Sequence, residues 1–309
     1  MNEADFIQRL RAIATDPAAR ALADDAAEWQ GLVLTHDMIV EGVHFLPDDA
    51  PRDVAWKLVA VNLSDLAAKG AEPVGVLVGY SLGEAAWDAD FADGLEAALR
   101  GFGIALLGGD TVRGPPGAPR SFGLTAIGRA PPDGAPSRAG ARPGDQLWVT
   151  GHIGDAGMGL AMRLGQVEAN AACLDAYRRP RPQLAFGRAV APHVRAMMDV
   201  SDGLLIDARR MAAASGCRID VRLEAVPLSA GLLAVRPDGL DTRLAAATAG
   251  DDYQLLFAAD SHDAAHIRAI GDRLGIAVTP IGHAGAGDGI GLTYGDAPVA
   301  VPDRLGFLH

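Results

Sequence analysis

Leu32, Val33 and Leu34 form a short apolar run that breaks at Thr35, His36 and Asp37 and resumes with Met38, Ile39, Val40, Val43 and Phe45 around Glu41 and His44. Residues 32–45 therefore read as a buried strand that delivers polar groups at its end. Burying unpaired charge is costly, so Asp37, Glu41 and His44 call for partners unless this is a strand edge whose acids face water. Beyond a turn at 47–52, Asp53 is placed to cap a helix that runs to about Lys69, with Gly70 as its stop. Val54, Leu58 and Val61 share one stripe of that helix, and the next position on the stripe is Asp65. A carboxylate where the period asks for an apolar side chain points to a buried acid with a partner.

Flanking segments follow the same alternation. Residues 5–14 read as a short amphipathic helix with Phe6, Leu10 and Ile13 at helical spacing, 73–82 as a strand and 88–101 as a second long helix. A short apolar strand from Ile104 then meets Gly108 and Gly109, followed by Asp110, Thr111 and Arg113. Tandem glycines let the backbone approach a ligand closely, with an acid for a metal and an arginine for a phosphate; a tight hairpin turn is the alternative. Residues 121–128 read as another strand. The proline- and glycine-rich stretch 131–144 is the expected domain boundary, dividing the chain into 1–137 and 138–309.

Beyond the boundary, 146–150 reads as a strand whose glycine turn, 151–157, opens a helix; such an N-terminus can bind an anion, and a plain connection is the alternative. Residues 177–182 read as a loop. Asp199 and Asp202 flank a strand-to-helix turn in which Ser201 or Asp202 would cap the helix ended by Gly216. Residues 219–223, 276–280 and 292–294 are further strands, and 249–257 repeats an acid pair, Asp251 and Asp252, before an apolar run.

A chain of 309 residues with 49% apolar content is long enough for about two domains. Its net charge of -12 disfavours nucleic acid and anionic membrane as partners. Lys57 and Lys69 are the only lysines, so a lysine-based phosphate site has almost no candidates. Cys173 and Cys217 have no partner at zinc-like spacing, which suits a reducing cytoplasm. No run approaches the roughly 18 apolar residues of a membrane span, and no signal core opens the chain.

The familiar phosphate-binding signatures are absent, since no Gly-Lys dipeptide and no His-Arg-Asp or Asp-Phe-Gly element occurs. What remains is a set of carboxylates at element ends: Asp25, Asp37, Asp65, Asp110, Asp199 and Asp202. Magnesium favours oxygen ligands and uses few protein carboxylates per ion, so these acids would suit several ions bridging a polyphosphate. The ions would also reconcile an acidic protein with an anionic ligand.

Six segments, 24–27, 36–45, 61–68, 108–111, 199–204 and 250–253, resemble the motifs of thiamine-monophosphate kinases in order and spacing. That family lies in the superfamily of aminoimidazole ribonucleotide synthetase and selenophosphate synthetase. The resemblance implies a two-domain α/β (α+β) fold. Its N-terminal mixed sheet would pair in a homodimer, its C-terminal domain would be α/β, and ATP would bind at the cleft. It implies Mg2+ at Asp25, Thr35, His36, Asp37, Asp65, Asp110, Asp199 and Asp202, with Asp37, Asp65, Asp110 and Asp199 central to catalysis. ATP would meet Gly109, Asp110, Arg138 and Ser201, and thiamine monophosphate would meet His44, Asp251 and Phe307. The implied reaction passes the γ-phosphoryl group of ATP to the phosphate of thiamine monophosphate. A superfamily enzyme with another acceptor, or a catalytically silent ATP- and magnesium-binding dimer, is the alternative. Ala23, His36 and Asp251 stand where the family usually has glycine, threonine or serine, and glutamate.

Overall fold

The computed structural model describes residues 3–115 and 117–308. Helix α1 (Glu3–Arg11) precedes strands β1 (Ala27–Trp29) and β2 (Leu32–Val40), helix α2 (Pro51–Ala68), strand β3 (Glu72–Leu82), helix α3 (Ala85–Phe102) and strands β4 (Ala105–Arg113) and β5 (Ser121–Arg129). These strands form one sheet in the order β1-β2-β5-β3-β4, in which β3 and β4 run parallel and the remaining neighbours antiparallel.

The second part begins with β6 (Gln146–Thr150), α4 (Asp155–Arg163), α5 (Ala171–Arg178), α6 (Leu184–Val190), β7 (Ala196–Asp199), α7 (Leu204–Ser215) and β8 (Arg218–Arg222). It continues with α8 (Ala230–Val235), α9 (Leu240–Thr248), β9 (Leu255–Ala259), α10 (Ala264–Leu274), β10 (Val278–Gly285), β11 (Gly289–Tyr294) and β12 (Ala297–Val299). Its sheet has the order β12-β11-β8-β10-β6-β9-β7, mixed because β8 and β11 are parallel. The chain is thus a two-part α/β protein with a mixed sheet in each part.

Strand β2 alternates as its sequence requires: Val33, Thr35 and Ile39 are buried, whereas His36 and Met38 are exposed on the opposite face. Helix α2 covers the inner face, burying Val54, Leu58, Leu63 and Leu66 against Phe122 and Leu124 of β5. Its C-terminal end enters a different core, where Ala67 and Ala68 join Trp148, Phe186 and Met197. Gly187 of α6 lies so close that a Cβ there would stand 2.1 Å from the Ala67 carbonyl oxygen, so only glycine permits this crossing. Buried on nearly every side, α2 has no clean polar face, as its continuous apolar sequence implies.

Several local expectations change. Helix α2 starts at Pro51, whose fixed φ suits the first helical position, with Ala50 rather than Asp53 at the cap. Gly108 and Gly109 lie inside β4, which runs on parallel to β3, so no hairpin forms. Gly109 has φ +153 and faces Val78, whose carbonyl would meet a Cβ at 1.9 Å. Tyr177 belongs to α5 rather than to a loop. The helix at the start of the chain ends at Arg11, and Phe6 and Ile13 are exposed, so its expected apolar stripe meets no core among the described residues.

Candidate functional site

Three polar residues of α2 each grip one element of the site. Asn62 Oδ1 accepts a 2.8 Å bond from the Asp37 backbone N–H. Ser64 Oγ donates to Asp199 at 2.6 Å. Asp65 accepts a hydrogen bond from Thr35 Oγ1. The alternation of β2 turns Thr35 inward, and Asp199 stands at the end of β7, so α2 gathers carboxylates from both sheets.

These acids are close enough to disturb one another. Burial first, and then the charges of Asp37, Asp199 and Asp25, push the Asp65 carboxyl well above the usual carboxylate range. Burial and the Asp25 charge push Asp199 up to about 8, against the opposing pull of its Ser64 hydrogen bond. The paired acids Asp24 and Asp25 are buried rather than solvated. Lys69 Nζ, fully buried, contacts both, lying 2.7 Å from Asp25 Oδ2. Burial would raise Asp24, but the Lys69 ammonium overrides it and the carboxyl falls to about 2. Arg138 pairs with Asp25 Oδ1. Asp25 Oδ2 faces the Lys69 ammonium but no hydrogen bond to it has good geometry, so this buried oxygen keeps acceptor capacity.

A cavity of about 810 Å³ opens beside this cluster, between the two parts of the chain. Asp37 and His44 line it from one side, and Ser201, Asp202, Asp251, Arg304 and Phe307 from the other. His44 Nδ1 accepts a 3.1 Å bond from the Val40 N–H, which places the ring proton on Nε2 as a donor. Phe307 N donates to the Asp202 carbonyl at 2.8 Å, pinning the C-terminal segment against the 199–203 turn. Asp202 itself pairs with Arg210 at 2.6 Å.

The expected site residues therefore divide. Asp25, Asp37, Asp65, Asp199 and Thr35 converge, Arg138 reaches them, and Ser201, Asp202, His44, Asp251 and Phe307 face the cavity. The His36 side chain does not join them. It projects from the other face of the sheet, where Nδ1 lies 2.9 Å from Thr125 Oγ1, because a residue between two inward-facing neighbours on a strand must point outward. Gly109 and Asp110 lie on the outer strand β4. Asp110 pairs in register with Gly79, Gly79 with Gly123 and Gly123 with Met38, which sets it three strand spacings, about 14 Å, from β2. Glu41 is neutralised by Arg120 at 2.6 Å.

Two carboxylates that the sequence reading did not assign hold the site's loops. Asp207, rather than Ser201 or Asp202, closes the strand-to-helix turn by accepting from the N–H groups of Ser201 and Asp202 at 3.1 and 3.2 Å. Burial raises its carboxyl to about 6 although Arg210 pairs with it. Asp252 occupies the N-terminus of α4, accepting from Gly154 N at 3.0 and 2.8 Å through its two oxygens. The glycine turn, which reads in the sequence as either an anion site or a plain connection, is thus filled by the protein's own carboxylate. Acid pairs and capping spacing were the only signals available for either.

The convergent donors are all oxygens, which suits magnesium chemically. No group of three or more acid, histidine or cysteine side chains among the described residues forms a ready-made metal cage. That arrangement fits an ion that keeps waters and arrives partly coordinated by phosphates, as magnesium does.

Two family models match the chain: the AIR synthase related protein N-terminal domain over residues 18–130 and its C-terminal domain over 142–295. Thiamine-monophosphate kinase of Caulobacter vibrioides is 42% identical, with 99% of this chain and 90% of that protein covered. The crystal structure of thiamine-monophosphate kinase from Stenotrophomonas maltophilia K279a is 34% identical with a TM-score of 0.79, covering 96% of each chain. A structure of AaThiL complexed with AMPPCP and TMP is 27% identical with a TM-score of 0.83, covering 99% of this chain and 96% of that one.

Proposed function

The chain belongs to the thiamine-monophosphate kinase family, and on that premise we infer that it transfers the γ-phosphoryl group of ATP to the phosphate of thiamine monophosphate, giving thiamine diphosphate and ADP. The observation that carries this reading is the placement of a buried carboxylate cluster beside a cavity of about 810 Å³, within the size range of small-molecule sites. In the reaction an oxygen of the acceptor phosphate bonds to the γ-phosphorus as the bond from that phosphorus to the β,γ-bridging oxygen breaks. An ionised phosphate is already a nucleophile, so no side chain has to remove a proton. Catalysis is then positioning of two anions and compensation of their charge.

We propose that Asp25, Asp37, Asp65, Asp199 and Asp202, with Thr35, hold Mg2+, which would supply the positive charge that bridges the phosphates. Arg138 and Ser201 then meet ATP, while the His44 Nε2–H donor, Asp251 and the Phe307 ring meet the acceptor. A ring such as Phe307 suits a cationic heterocycle through cation-π contact. Gly109 and Asp110 enter this scheme only from the sheet edge, and the imidazole of His36 is left out of it.

The exposed β4 supports a homodimer. Leu106, Leu107 and Val112 on that strand, with Leu77 on the neighbouring β3, present apolar side chains to solvent next to an unpaired edge, and Met38 is exposed further across the same sheet on β2. A second copy covering this edge would also cover Gly109 and Asp110. We place the domain boundary at residues 137 and 138, in the segment joining the two sheets. No described helix is long and apolar enough to cross a membrane. The two buried unpaired cysteines fit a cytoplasmic setting.

Pure protein incubated with ATP, magnesium and thiamine monophosphate should form thiamine diphosphate. No product above a blank across a magnesium series would overturn the reading.

A further inference from the structure

Of the two lysines of this chain, Lys57 lies in α2 and Lys69 caps its C-terminus, and both are buried, Lys57 at 2% exposure. An ammonium carries three donors, and Lys57 places all of them. Nζ lies 2.5 Å from Asp251 Oδ2, 2.9 Å from the His44 carbonyl oxygen and 4.5 Å from the centre of the Tyr177 ring. Tyr177 is itself fixed, donating to Asp49 at 2.7 Å, and Asp49 also accepts from Arg163 at 3.0 Å. Lys57 therefore joins α2 to the β2–α2 connection, to α5 and to the 250–253 loop.

That loop needs holding. Asp251 and Tyr253 adopt φ of +73 and +49, left-handed values that residues other than glycine rarely take. Backbone bonds from Asp251 N to Ser201 O at 2.7 Å and from Tyr253 N to Val200 O at 2.8 Å fix the main chain. The Asp251 side chain is set separately, between Lys57 on one oxygen and the Tyr253 hydroxyl, 3.1 Å from the other. His44 and Asp251, from the two parts of the chain, both line the cavity, and one ammonium bonds to both residues.

We propose that Lys57 is a positioning residue for the phosphoryl acceptor, acting through Asp251: without touching the acceptor, it fixes the two walls of its pocket at one separation. This rests on the reading above, in which His44 and Asp251 receive thiamine monophosphate. Each carboxylate oxygen of Asp251 retains acceptor capacity beyond the bond it makes here, so the anchored side chain can still bind.

The test is a double-mutant cycle in the full-length protein, using Lys57→Met, Asp251→Asn and the combined variant, with Lys57→Arg as a charge-preserving variant of altered reach. The expected result is a KM for thiamine monophosphate raised by about tenfold or more in each single variant, with the KM for ATP held within about twofold. The combined variant should be no worse than Asp251→Asn alone, because Lys57 would have nothing left to position. If Lys57→Met folds poorly by circular dichroism, Lys57→Arg decides, with the same selective rise expected. An unchanged acceptor KM, equal losses for both substrates, or multiplied losses in the combined variant would overturn the proposal while leaving the activity in place. A wild-type protein that forms no thiamine diphosphate would overturn both.

Discussion

Ser64 on α2 and Asp199 at the end of β7 are joined by a 2.6 Å hydrogen bond that links the two parts of the chain at the centre of the acid cluster. The bond favours the charged carboxylate, yet burial and the nearby Asp25 charge prevail and the group titrates at about 8.

Stability of the metal-free protein should therefore fall with rising pH. The folded value of Asp199 lies above its ordinary 3.8, Asp65 and Asp252 shift the same way, and Asp207 moves to about 6. The folded state holds protons that the unfolded state has released, so this stabilisation is complete below about pH 4 and is lost as pH rises through 6 and 8. Asp24, lowered to about 2, acts oppositely only below that window. Urea unfolding with chelator between pH 5 and 9 should show a falling midpoint, by up to ~1.4 kcal/mol per pH unit for each extra proton held. Magnesium should recover more stability at pH 8 than at pH 6; a midpoint that climbs with pH in chelator would contradict the cluster.

Asp65→Asn should separate stability from turnover. The substitution removes one of several mutually repelling charges while keeping an oxygen for Thr35, so the metal-free fold should be as stable as wild type or more so at pH 8. Turnover should fall on the order of 100-fold, the usual effect of removing one electrostatic contact at a reacting centre. Wild-type kcat in this variant would place the ions elsewhere.

Asp252→Ala should weaken the fold by about 2 kcal/mol in urea, because it leaves the Gly154 N–H without its partner and frees the loop that carries Asp251. Acceptor KM should rise in the same variant. Unaltered stability would mean that water replaces the carboxylate at no cost.

Leu106→Glu tests the sheet edge. Leu106 is 52% exposed, so the change should leave the protomer folded. Sedimentation should show a dimer for wild type and a monomer for the variant; identical masses would remove this edge from consideration as the interface.

Much of the site was readable before the fold. The apolar stripe of α2 marked Asp65 as buried, and the polar step in β2 marked Thr35 and Asp37. The same alternation already set His36 apart, since consecutive strand residues face opposite ways, but the motif resemblance treated the segment as one unit. Asp110 looked equivalent to the other acids because its distance from them depends on strand order, which no local pattern encodes. Asp207 and Asp252 were missed because each acts on backbone N–H groups of a loop whose path only the folded chain reveals. The count of two lysines left a lysine-based phosphate site with almost no candidates. Their actual employment, as internal counter-ions to Asp24, Asp25 and Asp251, required seeing how deep α2 lies.

Helix α2 contributes its first turns to one hydrophobic core and its last residues to another. A fragment ending near residue 130 would leave Ala67, Ala68 and the Lys69 side chain without their cover from Phe186, Met197 and the 197 carbonyl. Neither half is then an autonomous folding unit: melting should pass through a single transition, and exchanging halves between homologues should succeed only when the residues that receive this helix travel with it.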